Sequence, residues 1–183
     1  VSGQARIKAI QWLSSREIVM RLIGASMLMF DLEHAEQARD TIKELRRSPS
    51  PRVRELAWWQ GQRLTIHADE VTDFDIERWE ERVDDIPAPM RSGPWFLLGR
   101  GHYLRQDFDL AAAAYLQLPL VYRTDHPVTA NAGLSAGRSL AMLGQAAEAA
   151  RVFEEVAEQY AWTTAGEEAE AELSELRSDS GAE

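Results

Sequence analysis

One self-match within the chain constrains the fold more than any other feature of the sequence. Gly99 and Gly137 stand 38 residues apart. Each is followed by Arg (Arg100, Arg138), then twelve positions on by Ala (Ala111, Ala149), and sixteen positions on by an aromatic (Tyr115, Phe153). Self-similarity at a period of this size marks stacked supersecondary units, none of which buries its apolar face alone. The repeated stretch runs from Pro94 to about Thr164. It identifies a helical-repeat protein and leaves open what such a protein holds.

Helical periodicity extends beyond the repeat. Ile7, Ile10 and Leu13 place a first helix over 4–13, with Ser15 as the cap of a second over 16–30. The second is apolar around much of its circumference and reads as well buried. Ala35, Ala38, Ile42 and Leu45 mark a third over 33–47. Ser50 followed by Pro51 is a helix start, because proline at the first helical position lacks only an N–H that has no partner there. That fourth helix runs to Leu64, with Gly61 as a weak point or a place of close approach. Asp73 reads as the cap of a short helix over 74–85, with Trp79 and Val83 on its inner face. Pro87, Pro89, Gly93 and Pro94 then form the main internal boundary. The repeat supplies four helices: 95–105, one from Asp107 to about Tyr122, one from Pro127 to near Gly144, and 146–160. Pro119 should kink or end the second of these. A last helix starts at Thr163 or Thr164 and reaches about Leu176, leaving a frayed end. Strand signals are almost absent, so about ten helices paired by short turns are expected. The expected segmentation is degenerate helical hairpins over 1–91 packed onto the repeats, two repeats plus a closing helix over 92–178, and a flexible tail over 179–183.

Composition narrows the function. The 183 residues carry a net charge of -10. Residues 1–66 hold 11 basic against 7 acidic side chains, whereas residues 164–183 hold 1 against 7. Nucleic-acid binding needs a concentrated cationic face. The one basic cluster, Arg39–Arg54, reads as solvated charge at helix ends. With no Cys, there are no disulfides or thiolate metal sites, and redox compartment is not encoded. No stretch of about 18 apolar residues exists to cross a membrane. The chain begins at Val1 without Met, and is read as a fragment or as a chain whose signal or anchor was removed. Localisation stays open between cytoplasmic and exported.

The repeat residues resemble the tetratricopeptide family, whose units of about 34 residues place Trp, Leu-Gly, Tyr, Ala, Phe and Pro at set intervals. The matching residues are Trp95, Leu98, Gly99, Ala111, Tyr115 and Leu118 in one unit, and Gly137, Leu140, Gly144, Ala149 and Phe153 in the next. The resemblance covers about 85 of the 183 residues. The period is four longer than the family's, with the extra residues assigned to Leu118–His126. The family's terminal Pro is displaced to Pro127 and replaced near Ala161. The end of the chain, from Glu158, looks like the capping helix of bacterial members. Gly24 with Ala38 and Ile42 is a weaker third match, and the entry at Ser48 resembles HEAT-type repeats. The resemblance implies an all-α, right-handed α-solenoid of antiparallel hairpins. In that family the Gly clears space where the second helix crosses, the Ala packs into the gap, and the aromatic seals the next unit.

No catalytic constellation emerges. His34, His67, His102 and His126 are scattered and read as surface or helix-end residues. Asp69, Glu70, Asp73 and Asp75 lack the Gly and Glu of a calcium loop, and read as a solvated acidic turn. The carboxylates between Glu167 and Glu175 suit the polar outer face of a terminal cap. No phosphate loop or nucleophile elbow is present. The expectation is therefore no catalytic residues, metal or cofactor. The resemblance implies that the first helix of each unit lines a concave surface, which nominates Phe96, Arg100 and Tyr103 with Asn131, Leu134, Arg138 and Met142. Paired Arg could hold a partner's carboxylate through charge-assisted forks, or each could pair internally. The lysine–asparagine clamp of chaperone-binding members is not reproduced. The leading expectation is a non-catalytic protein-interaction or scaffolding module for a protein or peptide partner. The alternatives are a self-assembling domain using Ile18–Phe30 or Trp58–Trp59, and a peptide or small-molecule sensor with its pocket near Trp79 and Trp95. Oligomeric state is not encoded.

Overall fold

A computed structural model describes residues 3–122 and 127–180 of the chain. Among them the fold is all-α, with no strand. Ten α-helices follow in order: α1 (Gly3–Leu13), α2 (Ile18–Leu28), α3 (Ala35–Leu45), α4 (Pro51–His67), α5 (Asp73–Asp85), α6 (Ser92–Leu104), α7 (Phe108–Gln117), α8 (Pro127–Met142), α9 (Ala146–Gln159) and α10 (Thr164–Ser180). The expected class and helix number are both met. The chain divides into two compact units, Val1–Ala68 and Asp69–Glu183. The division falls before α5, not between residues 91 and 92 as the proline-rich segment suggested. The reason is local. Gly101 on α6 lets α5 pack so closely that an added Cβ would lie 2.7 Å from Ile76 and 2.9 Å from Trp79.

In the first unit each helix packs on its neighbour in sequence, and α4 also returns to α2. Leu13, Leu22, Leu28, Met29, Ile42, Leu45, Val53 and Ala57 form its core. Gly24 on α2 faces the backbone of α1, where a Cβ would sit 2.5 Å from Leu13 N and 2.6 Å from Ala9 O. This revises its expected role, since Gly24 serves α1 and not a crossing with Ala38 and Ile42 on α3. Ser50 caps α4 as expected, its hydroxyl accepting from the Val53 N–H at 3.5 Å, with Pro51 at the first position. Ser15 accepts from the Glu17 N–H instead of capping α2, which starts later.

In the second unit Thr72, not Asp73, caps α5. Its hydroxyl accepts from the Asp75 N–H while the Asp75 carboxylate takes the Thr72 N–H, a reciprocal capping box. The hairpins α6–α7 and α8–α9 repeat each other in detail. After α6, Asp107 N donates to His102 O and Gln106 N to Tyr103 O; after α8, Gln145 N donates to Leu140 O and Gly144 N to Ala141 O. All four bonds lie between 2.9 and 3.0 Å, and each pair is offset by 38 residues. Both turns pass through a left-handed residue, Gln106 at φ 66° and Gly144 at φ 73°. This is the 6→1 closure that ends many helices. It replaces the side-chain cap expected from Asp107, which makes none.

The helix crossings repeat as well, with one revision. A Cβ on Gly99 would meet the Tyr115 ring at 2.7 Å, and one on Gly137 would overlap the Phe153 ring. The ring itself fills the glycine gap. Ala111 and Ala149 are fully buried but are not what faces the glycine. One turn before Gly137, Gly133 likewise faces Val156 at 2.5 Å, so α8 and α9 run antiparallel in close register. Helix α7 stops at Gln117, and Leu118–Tyr122 forms a π turn around Pro119, where the extra repeat length was expected. The rest of that insertion, including His126, lies outside the described residues. Helix α10 continues to Ser180, past the expected end at Leu176. Residues 181–183 of the expected flexible tail lie outside the described residues.

Candidate functional site

Helices α6 and α8 carry every residue nominated for a partner surface, and the structure sorts these residues into distinct environments. Phe96 is half-buried, edge-on to Tyr115 with ring centroids 5.5 Å apart. Tyr103 is half-buried and packs against Phe108 at 5.3 Å. Asn131 is exposed, and its amide donates to Pro127 O at 2.7 Å. Met142 is 58% exposed. Leu134 is only 3% exposed and belongs to the core formed with Phe153, Val156 and Leu173. It is thus a packing residue and no part of a surface.

The two arginines differ although they share a repeat position. Arg138 reaches α10, where its Nε donates to Glu172 at 2.6 Å and its Nη2 to Glu168 at 2.9 Å. Burial disfavours its charge, but the hydrogen bonds to Glu172 and Glu168 outweigh this and raise its pKa. Arg138 is therefore a cross-brace between α8 and α10. Arg100 has no such carboxylate. Among the described residues none lies within ion-pair distance of it. Its guanidinium lies over the Tyr103 ring, 5.5 Å from the ring centre, and its charge acts on the buried Tyr115 hydroxyl. Burial pushes Tyr115 up to about 12, opposed by the nearby Arg100 charge and a hydrogen bond with Ser135. The physical cause of the asymmetry is the sequence of the helix two along. Repeat positions 168 and 172 fall at Ala130 and Leu134, and neither offers an acceptor.

Two arrangements escaped the sequence. His102 is buried, not at the surface, with its Nε2 3.3 Å from Glu80 and its Nδ1 without a hydrogen-bond partner among the described residues. Among the described residues Asp31, Glu33 and His34 gather within ligand distance of one another. Arg6 already fills that cluster: its Nε donates to Asp31 at 2.6 Å and its Nη2 to Glu33 at 2.6 Å. Hydrogen bonds from Arg6, then His34, hold the Asp31 carboxyl well below the usual range. The guanidinium supplies the positive charge that a metal would bring, and the cluster ties α1 to the α2–α3 turn. Arg6 lies 25 residues from Asp31, too far for local spacing to reveal. His34 is half-buried within this cluster, and His67 is exposed with its ring 4.4 Å from Phe30.

Surfaces proposed for other roles are also relocated. Trp58 and Trp59 are buried and offer no exposed patch for self-assembly. Trp79 has no exposure at all, so it lines no open pocket. No helix among the described residues is long and apolar enough to cross a membrane. Comparison with protein-family models, curated proteins and solved structures finds no match for this chain.

Proposed function

We propose that the Asp69–Glu183 unit is a non-catalytic protein-interaction module of the tetratricopeptide type, receiving a carboxylate-bearing segment of a partner protein at α6. One observation carries this reading: Arg138 is neutralised by two glutamates, whereas Arg100, at the same repeat position, has no carboxylate partner among the described residues and lies over the Tyr103 ring. An arginine seated over an aromatic ring remains free to present its planar fork to a carboxylate. Phe96 and Tyr103, on the same helix, would flank the bound segment with apolar surface.

The test is fluorescence anisotropy with labelled peptides ending in Asp or Glu, compared with amidated, uncharged versions. Acidic peptides should bind, and Arg100→Gln should weaken them at least about tenfold, the effect of removing a charged hydrogen-bond partner. The exposed Arg151→Gln should leave binding unchanged. Failure of all acidic peptides to bind, together with turnover in a broad activity screen, would overturn the proposal.

A further inference from the structure

In the first unit Arg63 has no carboxylate at ion-pair distance among the described residues, and much of its surroundings is apolar. Arg63 on α4 lines a groove of about 500 Å³ between α2 and α4. The apolar lining is Leu22, Ile23, Met27 and Leu56. Among the described residues Nη1 alone of the Arg63 nitrogens is engaged, donating to Ser26 O at 2.8 Å and to Gln60 Oε1 at 2.9 Å. Its Nε and Nη2, the pair that grips a carboxylate side-on, have no acceptor among the described residues. The Arg63 guanidinium lies over the Phe30 ring, with Cζ 5.4 Å from the ring centre. Burial lowers the Arg63 pKa. By contrast Arg6 and Arg21 in the same unit pair with Asp31 and Glu44.

A half-buried cation with two open donors, beside an apolar trough, calls for an anion with an apolar body. The other acceptors of the groove are already engaged: Ser26 Oγ donates to Leu22 O at 2.7 Å, and Ser26 O and Gln60 Oε1 both accept from Arg63. Little remains to satisfy peptide amides, which would be costly to bury unpaired. We infer that this groove binds a straight-chain aliphatic carboxylate, its headgroup on Arg63 Nε and Nη2 and its chain along Leu22, Ile23, Met27 and Leu56. The site lies wholly in the first unit and is independent of the Arg100 surface.

Isothermal titration of the full chain with hexanoate, octanoate and octanol, below their aggregation limits, tests the assignment. Octanoate should bind at least tenfold more tightly than octanol. Lengthening from hexanoate should tighten binding by up to about fourfold per methylene. Arg63→Gln should reduce octanoate affinity at least tenfold and leave octanol unaffected. Should Arg63→Gln fail to fold, Ile23→Glu, at a partly exposed lining position, places a like charge in the trough and should abolish octanoate binding. Equal affinity for octanol and octanoate, or unchanged octanoate binding in the variant that folds, would overturn the inference. So would tighter binding of a short leucine-rich peptide with a free C-terminus, or no binding of any carboxylate at millimolar concentration.

Discussion

The two units solve the same packing problem with different partners for glycine. In the first, Gly24 brings two backbones together, with α1 atoms where a side chain would go. In the second, Gly99 and Gly137 each receive an aromatic ring from the following helix. A backbone contact is rigid on both sides, whereas a ring has rotamers and can be exchanged for a smaller group. The difference explains why the glycine–ring pair recurs at the repeat spacing. A glycine–ring pair needs only two side chains at a fixed spacing, so a repeat can copy it. A backbone-to-backbone approach depends on the trajectory of both helices.

That contrast can be broken in a definite order. Gly24→Ala should be the most damaging, costing about 3 kcal/mol or more in urea denaturation, because overpacking against backbone has no side chain to yield. No truncation elsewhere should restore it. Next comes an alkaline limb belonging to the second unit. Tyr115 is pushed up to about 12 by burial, while an unfolded tyrosine titrates near roughly 10. Below pH ~10 both states keep the proton and the stabilisation is complete; as pH rises through about 12 it is lost, since the unfolded chain ionises first. The loss should approach about 2–3 kcal/mol, and Tyr115→Phe should remove it from the denaturation profile.

Gly137→Ala should cost less than Gly24→Ala, about 1–2 kcal/mol, partly offset by the better helix propensity of Ala. Here the cost should shrink when Phe153→Leu is added, although Phe153→Leu alone destabilises. A double-mutant cycle reads this coupling directly. Additive effects would mean that the ring is not what fills the gap. The smallest expected change is a gain. Gln106 holds the left-handed turn that Gly144 holds in the next hairpin, so Gln106→Gly should stabilise by up to about 1 kcal/mol, seen as a raised Tm.

Much of the fold was legible because its causes are local. Apolar spacing at helical period, Ser50-Pro51 and the repeat spacing each act within one or two turns of chain, and they located all ten helices. The turn between α6 and α7 was also local but was misassigned. Asp107 looked like a cap, while the closure is made by backbone groups around a left-handed Gln106. What stayed hidden depends on distant partners. The environment of Arg138 is set by Glu168 and Glu172 on α10, and that of Asp31 by Arg6 on α1. The burial of His102 and Leu134 follows from which side of α6 and α8 meets a neighbour, and a helix apolar on several faces does not announce that. The candidate surface was thus half legible: the shared repeat position of the two arginines could be read, but not the neutralisation that separates Arg138 from Arg100.

The glycine–ring crossings have a consequence for how such a chain can change over time. Positions 137 and 153 share one volume, so they behave as a single variable and not as two. A lineage that acquires a side chain at 137 must shrink 153 at nearly the same step, and the same bond ties 99 to 115. In an alignment of future relatives these pairs should therefore move together across sixteen residues of sequence, while the backbone-seated Gly24 should stay silent, with no partner position able to answer it.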